Sequence, residues 1–120
     1  QVLNTRSIAG TLYTTGSDTL VMELPAVDTG GAVVPGAFDY VVFFASGGTL
    51  YRVLDADGAS ARDSGTKILS NVLSSVAFSY DVADPGEAGE VSAELALSDE
   101  SGHGSSQFEI QQRMYLRNKQ

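Results

Sequence analysis

One histidine, His103, stands in the run Asp99-Glu100-Ser101-Gly102-His103-Gly104-Ser105-Ser106, with three serines close by. A serine beside a histidine is the beginning of a nucleophilic triad, in which the imidazole takes the hydroxyl proton and a buried carboxylate fixes its tautomer. Neither that carboxylate nor an oxyanion-hole motif accompanies this run. Between two glycines, His103 reads as a solvated loop residue. Cysteine is absent, which excludes a thiolate nucleophile, a thiolate metal site and a disulfide. Asp55-Ala56-Asp57-Gly58 has the opening spacing of a calcium loop, but position 66 is Thr where a bidentate Glu is needed. Asp63 or a backbone carbonyl would have to complete a non-standard site. The calcium candidates are therefore Asp55, Asp57 and Asp63, and a plain turn is the simpler reading. Asp81, Asp84 and Glu87 cluster around Pro85-Gly86, either solvated or as a salt-bridge surface. Gly47-Gly48 is no phosphate cradle, since neither a helix start nor Lys follows. Tyr13, Tyr40, Tyr51, Tyr80 and Tyr115 alternate with apolar residues and read as core or sheet face. No Lys or Arg interleaves with them as a nucleic-acid platform requires. The expectation is a non-enzymatic chain without a cofactor.

The elements that position these residues are strands. Val76, Phe78, Tyr80 and Val82 form one apolar row of period two; Val91, Ala93, Leu95 and Leu97 form a second; Phe108, Ile110, Met114 and Leu116 form a third, interrupted by Gln112. Strict alternation marks half-buried strands, so residues 76–116 read as an antiparallel three-strand meander. Apolar-to-apolar pairing sets Val82 opposite Val91, Tyr80 opposite Ala93, Phe78 opposite Leu95 and Val76 opposite Leu97. The next hairpin sets Val91 opposite Met114, Leu95 opposite Ile110 and Leu97 opposite Phe108. A one-residue slip would turn each row to water.

Upstream, residues 18–27 read as a strand that Pro25 ends or places at an edge. Asp28 to Gly36 reads as a long loop carrying two turns. In residues 38–45, Tyr40, Val42 and Phe44 share a face. Gly47-Gly48 reads as a two-residue primed turn, pairing Ser46 with Thr49, Phe44 with Tyr51 and Val42 with Val53. Lys67 to Leu69 is a short extended piece, and Asp84-Pro85-Gly86-Glu87 a turn. Val2, Leu3 and Ile8 fit one face of a short helix stopped by Gly10, with a frayed terminus as the equal alternative. Thr11 to Thr14 fits a short strand.

The 120 residues suit one domain with one core. The chain is 42% hydrophobic and 18% charged, as a globular domain is. Its net charge of -8 argues against a nucleic-acid or anionic-membrane surface, because phosphate contacts need clustered Lys and Arg. No run approaches a membrane span. No signal peptide is legible, so any targeting segment is expected to be removed or to lie on another chain.

Three segments together resemble the globular part of type IV pilin-like proteins, especially minor pilins and type II secretion pseudopilins. The first runs from Leu20-Val21-Met22-Glu23-Leu24-Pro25-Ala26-Val27-Asp28 through Val34-Pro35-Gly36 to Phe38-Asp39-Tyr40-Val41-Val42-Phe43. The second is Gly65-Thr66-Lys67-Ile68-Leu69-Ser70-Asn71-Val72 followed by Val76-Ala77-Phe78-Ser79-Tyr80-Asp81. The third is the ending Met114-Tyr115-Leu116-Arg117-Asn118. The resemblance covers most of the chain and lies in pattern and order.

It implies a mainly β fold, a pilin-like α+β domain with its long N-terminal helix missing. That is one domain over 1–120, an antiparallel sheet with at most a short N-terminal helix, residues 1–10 being that helix's tail. It implies a subunit or assembly factor of a type IV pilus-like or pseudopilus filament, extracellular or periplasmic on a bacterial surface. The implied partners are other pilin or pseudopilin subunits, or a separate short helical pilin chain; membrane attachment would come only through the missing helix or that partner. The helix is either trimmed away or carried on another chain, and in the second case the sheet must expose an apolar groove for it. The alternative is a non-enzymatic secreted β-domain that binds a ligand or surface. Leu95→Asp should abolish cooperative folding, whereas His103→Ala should leave folding and assembly intact; lost assembly in a well-folded His103→Ala protein would count against the filament expectation.

Overall fold

The computed structural model describes residues 1–98 and, as the course of a strand only, residues 107–115. The described chain is mainly β, and its sheets are antiparallel. The strands are β1 (Val2–Leu3), β2 (Thr5–Ile8), β3 (Thr11–Thr14), β4 (Thr19–Val27), β5 (Val33–Ser46), β6 (Thr49–Asp55), β7 (Gly65–Ser70), β8 (Leu73–Tyr80), β9 (Glu90–Ser98) and β10 (Gln107–Tyr115). They form a five-stranded sheet in the order β1-β4-β5-β6-β7, a three-stranded sheet β10-β9-β8 and a two-stranded hairpin β2-β3.

The alternation along β4, β5 and β6 explains the layering, because each strand has apolar residues on both faces. On the inner face Leu20, Met22, Val41 and Leu54 pack with Val2 against Phe78 and Val91 of the three-stranded sheet. On the outer face Val21, Val42 and Val53 pack against Ile8 of the hairpin, with Leu3, Tyr13, Tyr40 and Phe44 around them. The central sheet is therefore covered on both sides, and Val21 and Val42 are 0% exposed. The expected grouping of Tyr40, Val42 and Phe44 on one face holds.

β8 crosses the ends of the central strands. Leu73 N–H donates to the Gly48 carbonyl in the β5–β6 turn, and Phe78 N–H donates to Ser17 ahead of β4. The Tyr80 hydroxyl donates to the Gly16 carbonyl at 2.9 Å. Burial raises the Tyr80 pKa to about 12.

The turns decide which registers were readable. Gly47 and Gly48 have φ of 58° and 79°, as a primed hairpin turn requires. Ser46, Phe44 and Val42 pair with Thr49, Tyr51 and Val53 as expected. The β9–β10 hairpin also pairs as expected, with Val91, Leu95 and Leu97 opposite Met114, Ile110 and Phe108.

Four expectations are corrected. The helix at Val2, Leu3 and Ile8, with residues 1–10 as a helical tail, does not form. Val2 and Leu3 pair with Met22 and Val21 as an edge strand. Ala9 and Gly10, with φ of 51° and 85°, turn the chain into the β2–β3 hairpin, so Gly10 is a hairpin residue instead of a helix stop. The long loop from Asp28 to Gly36 is a tight turn, because Asp28 Oδ1 accepts from Gly30 and Ala32 N–H and β5 already begins at Val33. Pro25 does not end β4 but sits at an edge, the other reading: it pairs with Phe38 of β5 while β1 pairs only with Val21 and Met22 on the far side, and a register shift between Pro25 and Val27 carries the strand past it.

The β8–β9 register is displaced by two residues, Tyr80 facing Val91, Phe78 facing Ala93 and Val76 facing Leu95. The reason is the connection. Asp84 caps a 3-10 turn over Pro85–Glu87 by accepting from Gly86 N–H, and Asp81 Oδ1 accepts from Gly89 N–H. Val82 thus belongs to the turn and is 40% exposed. An even displacement keeps each apolar row on its face. Val42→Ala should lower stability by about 2 kcal/mol in urea unfolding, since it removes buried methyls between two covered faces; an unchanged midpoint would contradict the two-sided core.

Candidate functional site

The inner face is not wholly lined by the core cluster. A groove of about 250 Å³ runs along it, open along one side and lined by Met22, Leu24, Val41, Phe43, Arg52, Leu54 and Arg62. Its floor is built by register: Met22 pairs with Val41, and Val41 with Leu54, across β4, β5 and β6. Leu24 and Phe43 are half-buried beside them. The two arginines flank this apolar floor.

Arg62 comes from the connection between β6 and β7 and is fixed there by a buried carboxylate. Its Nη1 donates to Asp39 Oδ2 at 2.7 Å and to the Pro25 carbonyl at 2.8 Å. Asp39 is 0% exposed. Ser60 Oγ donates to Asp39 Oδ2 at 2.7 Å, and Asp57 N–H to Oδ1 at 2.9 Å. Both carboxylate oxygens are therefore satisfied, as a buried charge requires. Burial alone would raise the Asp39 pKa; the hydrogen bonds from Arg62, Ser60 and Asp57 outweigh it, and the pKa lies below the ordinary 3.8. A second tie anchors the loop, Ala61 N–H donating to the Val27 carbonyl at 2.6 Å.

Arg52 is held differently. Its Nε is buried without a hydrogen-bond partner. Lys67 of β7 is directly opposite it across the strand pair, an unfavourable placement of like charges. Among the described residues, neither joins a salt bridge, and the Arg62–Asp39 pair is the one ion pair found. On the outer face Arg6 stacks 3.7 Å above the Tyr40 ring. Burial first, and then Glu23, raise the Tyr40 pKa, while Arg6 lowers it.

The residues singled out in the sequence have other places. Asp57 Oδ1 accepts from Ala59 N–H within its turn, and Ser64 Oγ accepts from Ala56 N–H. Among the described residues, no three ligating side chains converge to hold a metal, so Asp55, Asp57 and Asp63 do not form a cage together. Asp84 is tied to Asn4, whose Nδ2 donates to Asp84 Oδ1 at 3.0 Å. Tyr13 and Tyr51 flank Phe44 with ring centroids 5.5 and 5.0 Å away. His103 and its serines lie outside the described residues. The sequence reading missed Asp39, Arg52 and Arg62. The signal for Asp39 was a carboxylate in the row Asp39, Val41, Phe43, where alternation calls for an apolar residue.

The chain matches no protein-family model, and no curated protein or solved structure is significantly similar to it. Among the described residues, no helix is long and apolar enough to cross a membrane.

Asp39 sets a pH dependence. Its folded pKa is below the unfolded one, so its contribution is present above the unfolded value and is lost as pH falls through it towards the folded value. The melting temperature should drop on acidification below about pH 4. Asp39→Asn should lower it at pH 7 and flatten the acid slope; an unchanged slope would remove Asp39 from the account.

Proposed function

We propose that the chain is a structural or assembly subunit of a pilin-like filament, and that the groove is a surface on which it meets another subunit. The groove carries this reading. It is apolar along its floor, bordered by two arginines and open along one side, as a contact surface is and as a closed reaction chamber is not. Its volume is below the roughly 300–1,000 Å³ of ordinary small-molecule sites.

The fold is compatible with a load-bearing role. Antiparallel ladders run through the described chain, and the β6–β7 connection is fastened by the buried ion pair. The β1 strand begins beside Glu23: the Gln1 amino group donates to the Glu23 carbonyl at 3.0 Å, and Glu23 N–H returns a bond to the Gln1 carbonyl at 2.8 Å. Gln1 is thus next to Leu24, a residue of the groove.

Since the chain has no cysteine, one introduced thiol is a unique handle. Leu24→Cys, expressed in the organism that makes the protein and labelled at its thiol with a maleimide–benzophenone reagent, should cross-link to a neighbouring subunit when intact filaments are irradiated. Leu24→Gln should reduce assembly several-fold while keeping a cooperative melt. Filaments that form normally with Leu24→Gln and give no cross-link would overturn the reading.

A further inference from the structure

The groove has a chemical complement on the same molecule. Arg52 and Arg62 border it, and Lys67 is opposite Arg52 on β7, the open edge of the five-stranded sheet. Three of the chain's seven basic residues are thus gathered at one place in a protein of net charge -8.

At the opposite edge is the turn between β8 and β9, beside β1 and tied to it through Asn4 and Asp84. Val82 is 40% exposed at this turn. Asp81, Asp84 and Glu87 surround it and are exposed. Asp81 and Asp84 use Oδ1 to hold the turn. An apolar tip ringed by carboxylates thus answers an apolar floor bordered by Arg52 and Arg62, with Lys67 beside Arg52. From β1 to β7, the strand of Lys67, is four strand spacings, roughly 19 Å, so the turn of one molecule does not reach the basic edge of its own sheet.

We propose that the groove and basic edge of one copy bind the acidic 81–87 turn of a second copy, head to tail. The proposal rests on reading the groove as a subunit contact. Because the two surfaces differ, the contact is heterologous; where its rotation does not close into a ring, it extends into an open chain of subunits. The small volume suits a protruding side chain, and the charge pattern selects this turn over a neutral one.

Sedimentation velocity on the full chain tests it. Wild-type protein should associate reversibly as its concentration rises, and 1 M salt should weaken the association. Lys67→Glu and Glu87→Lys are exposed and outside the core, and each should weaken self-association about tenfold. The double swap, or an equimolar mixture of the two single variants, should recover it. Monomers at every concentration in low salt, association indifferent to either substitution, or no recovery on swapping would each overturn the proposal. Monomers whose Leu24→Cys form still cross-links within filaments would reject the second copy as the groove's occupant and leave the filament reading standing.

Discussion

β4, β5 and β6 have apolar residues on both faces, and a sheet of that kind is stable only when both faces are covered. Most of the architecture answers that requirement. The inner rows of Leu20, Met22, Val41 and Leu54 call for the three-stranded sheet. The outer rows of Val21, Val42 and Val53 call for the β2–β3 hairpin. The hairpin lies over the sheet centre, where paired Val21 and Val42 have no exposed surface. Without a disulfide, these packed layers and their ladders must hold the chain together.

The inner cover is a cross-brace. β8 spans the turn ends of β4, β5 and β6, so the three-stranded sheet closes most firmly over the Leu20 end. The apolar floor continues beneath the groove, through Met22, Val41 and Leu54 to Leu24. Asp39 occurs at this transition and turns a gap in the apolar row into an anchor for Arg62. A buried pair of this kind is weak evidence for net stability but strong evidence for position. It fixes the arginine that borders the groove, and it holds the 56–64 connection against β5.

The strands from β3 onward and the tight β5–β6 hairpin were legible because period-two alternation and the Gly47-Gly48 turn each point to one answer. The β9–β10 register was legible for the same reason. Errors arose where a local signal had two physical readings. Gly10 stops a helix or turns a hairpin, and the partner β4, far along the chain, decided between them. Apolar matching alone could not place β8 against β9, since a two-residue displacement keeps every row on its face; the capped 81–88 connection set it. The site was the least legible part. Arg52 and Arg62 lie apart in sequence, and only the folded sheet brings them to one groove. Asp39 could have been found from the broken alternation, but its partners come from a loop without periodicity.

The ties between Asn4 and the Asp84–Gly86 turn join residues 80 and 82 positions apart, and the Tyr80 hydroxyl reaches back 64 positions to Gly16. A chain made or exported N-terminus first therefore presents its opening strands long before the residues that lock them exist. Closing such distant pairs is entropically slow. The first 16 residues can find β4 early, yet they gain their final latch only after the β8–β9 connection emerges. Until then residues 1–16 lack that latch, so strands that emerge before β4 are secured only after β8 has emerged.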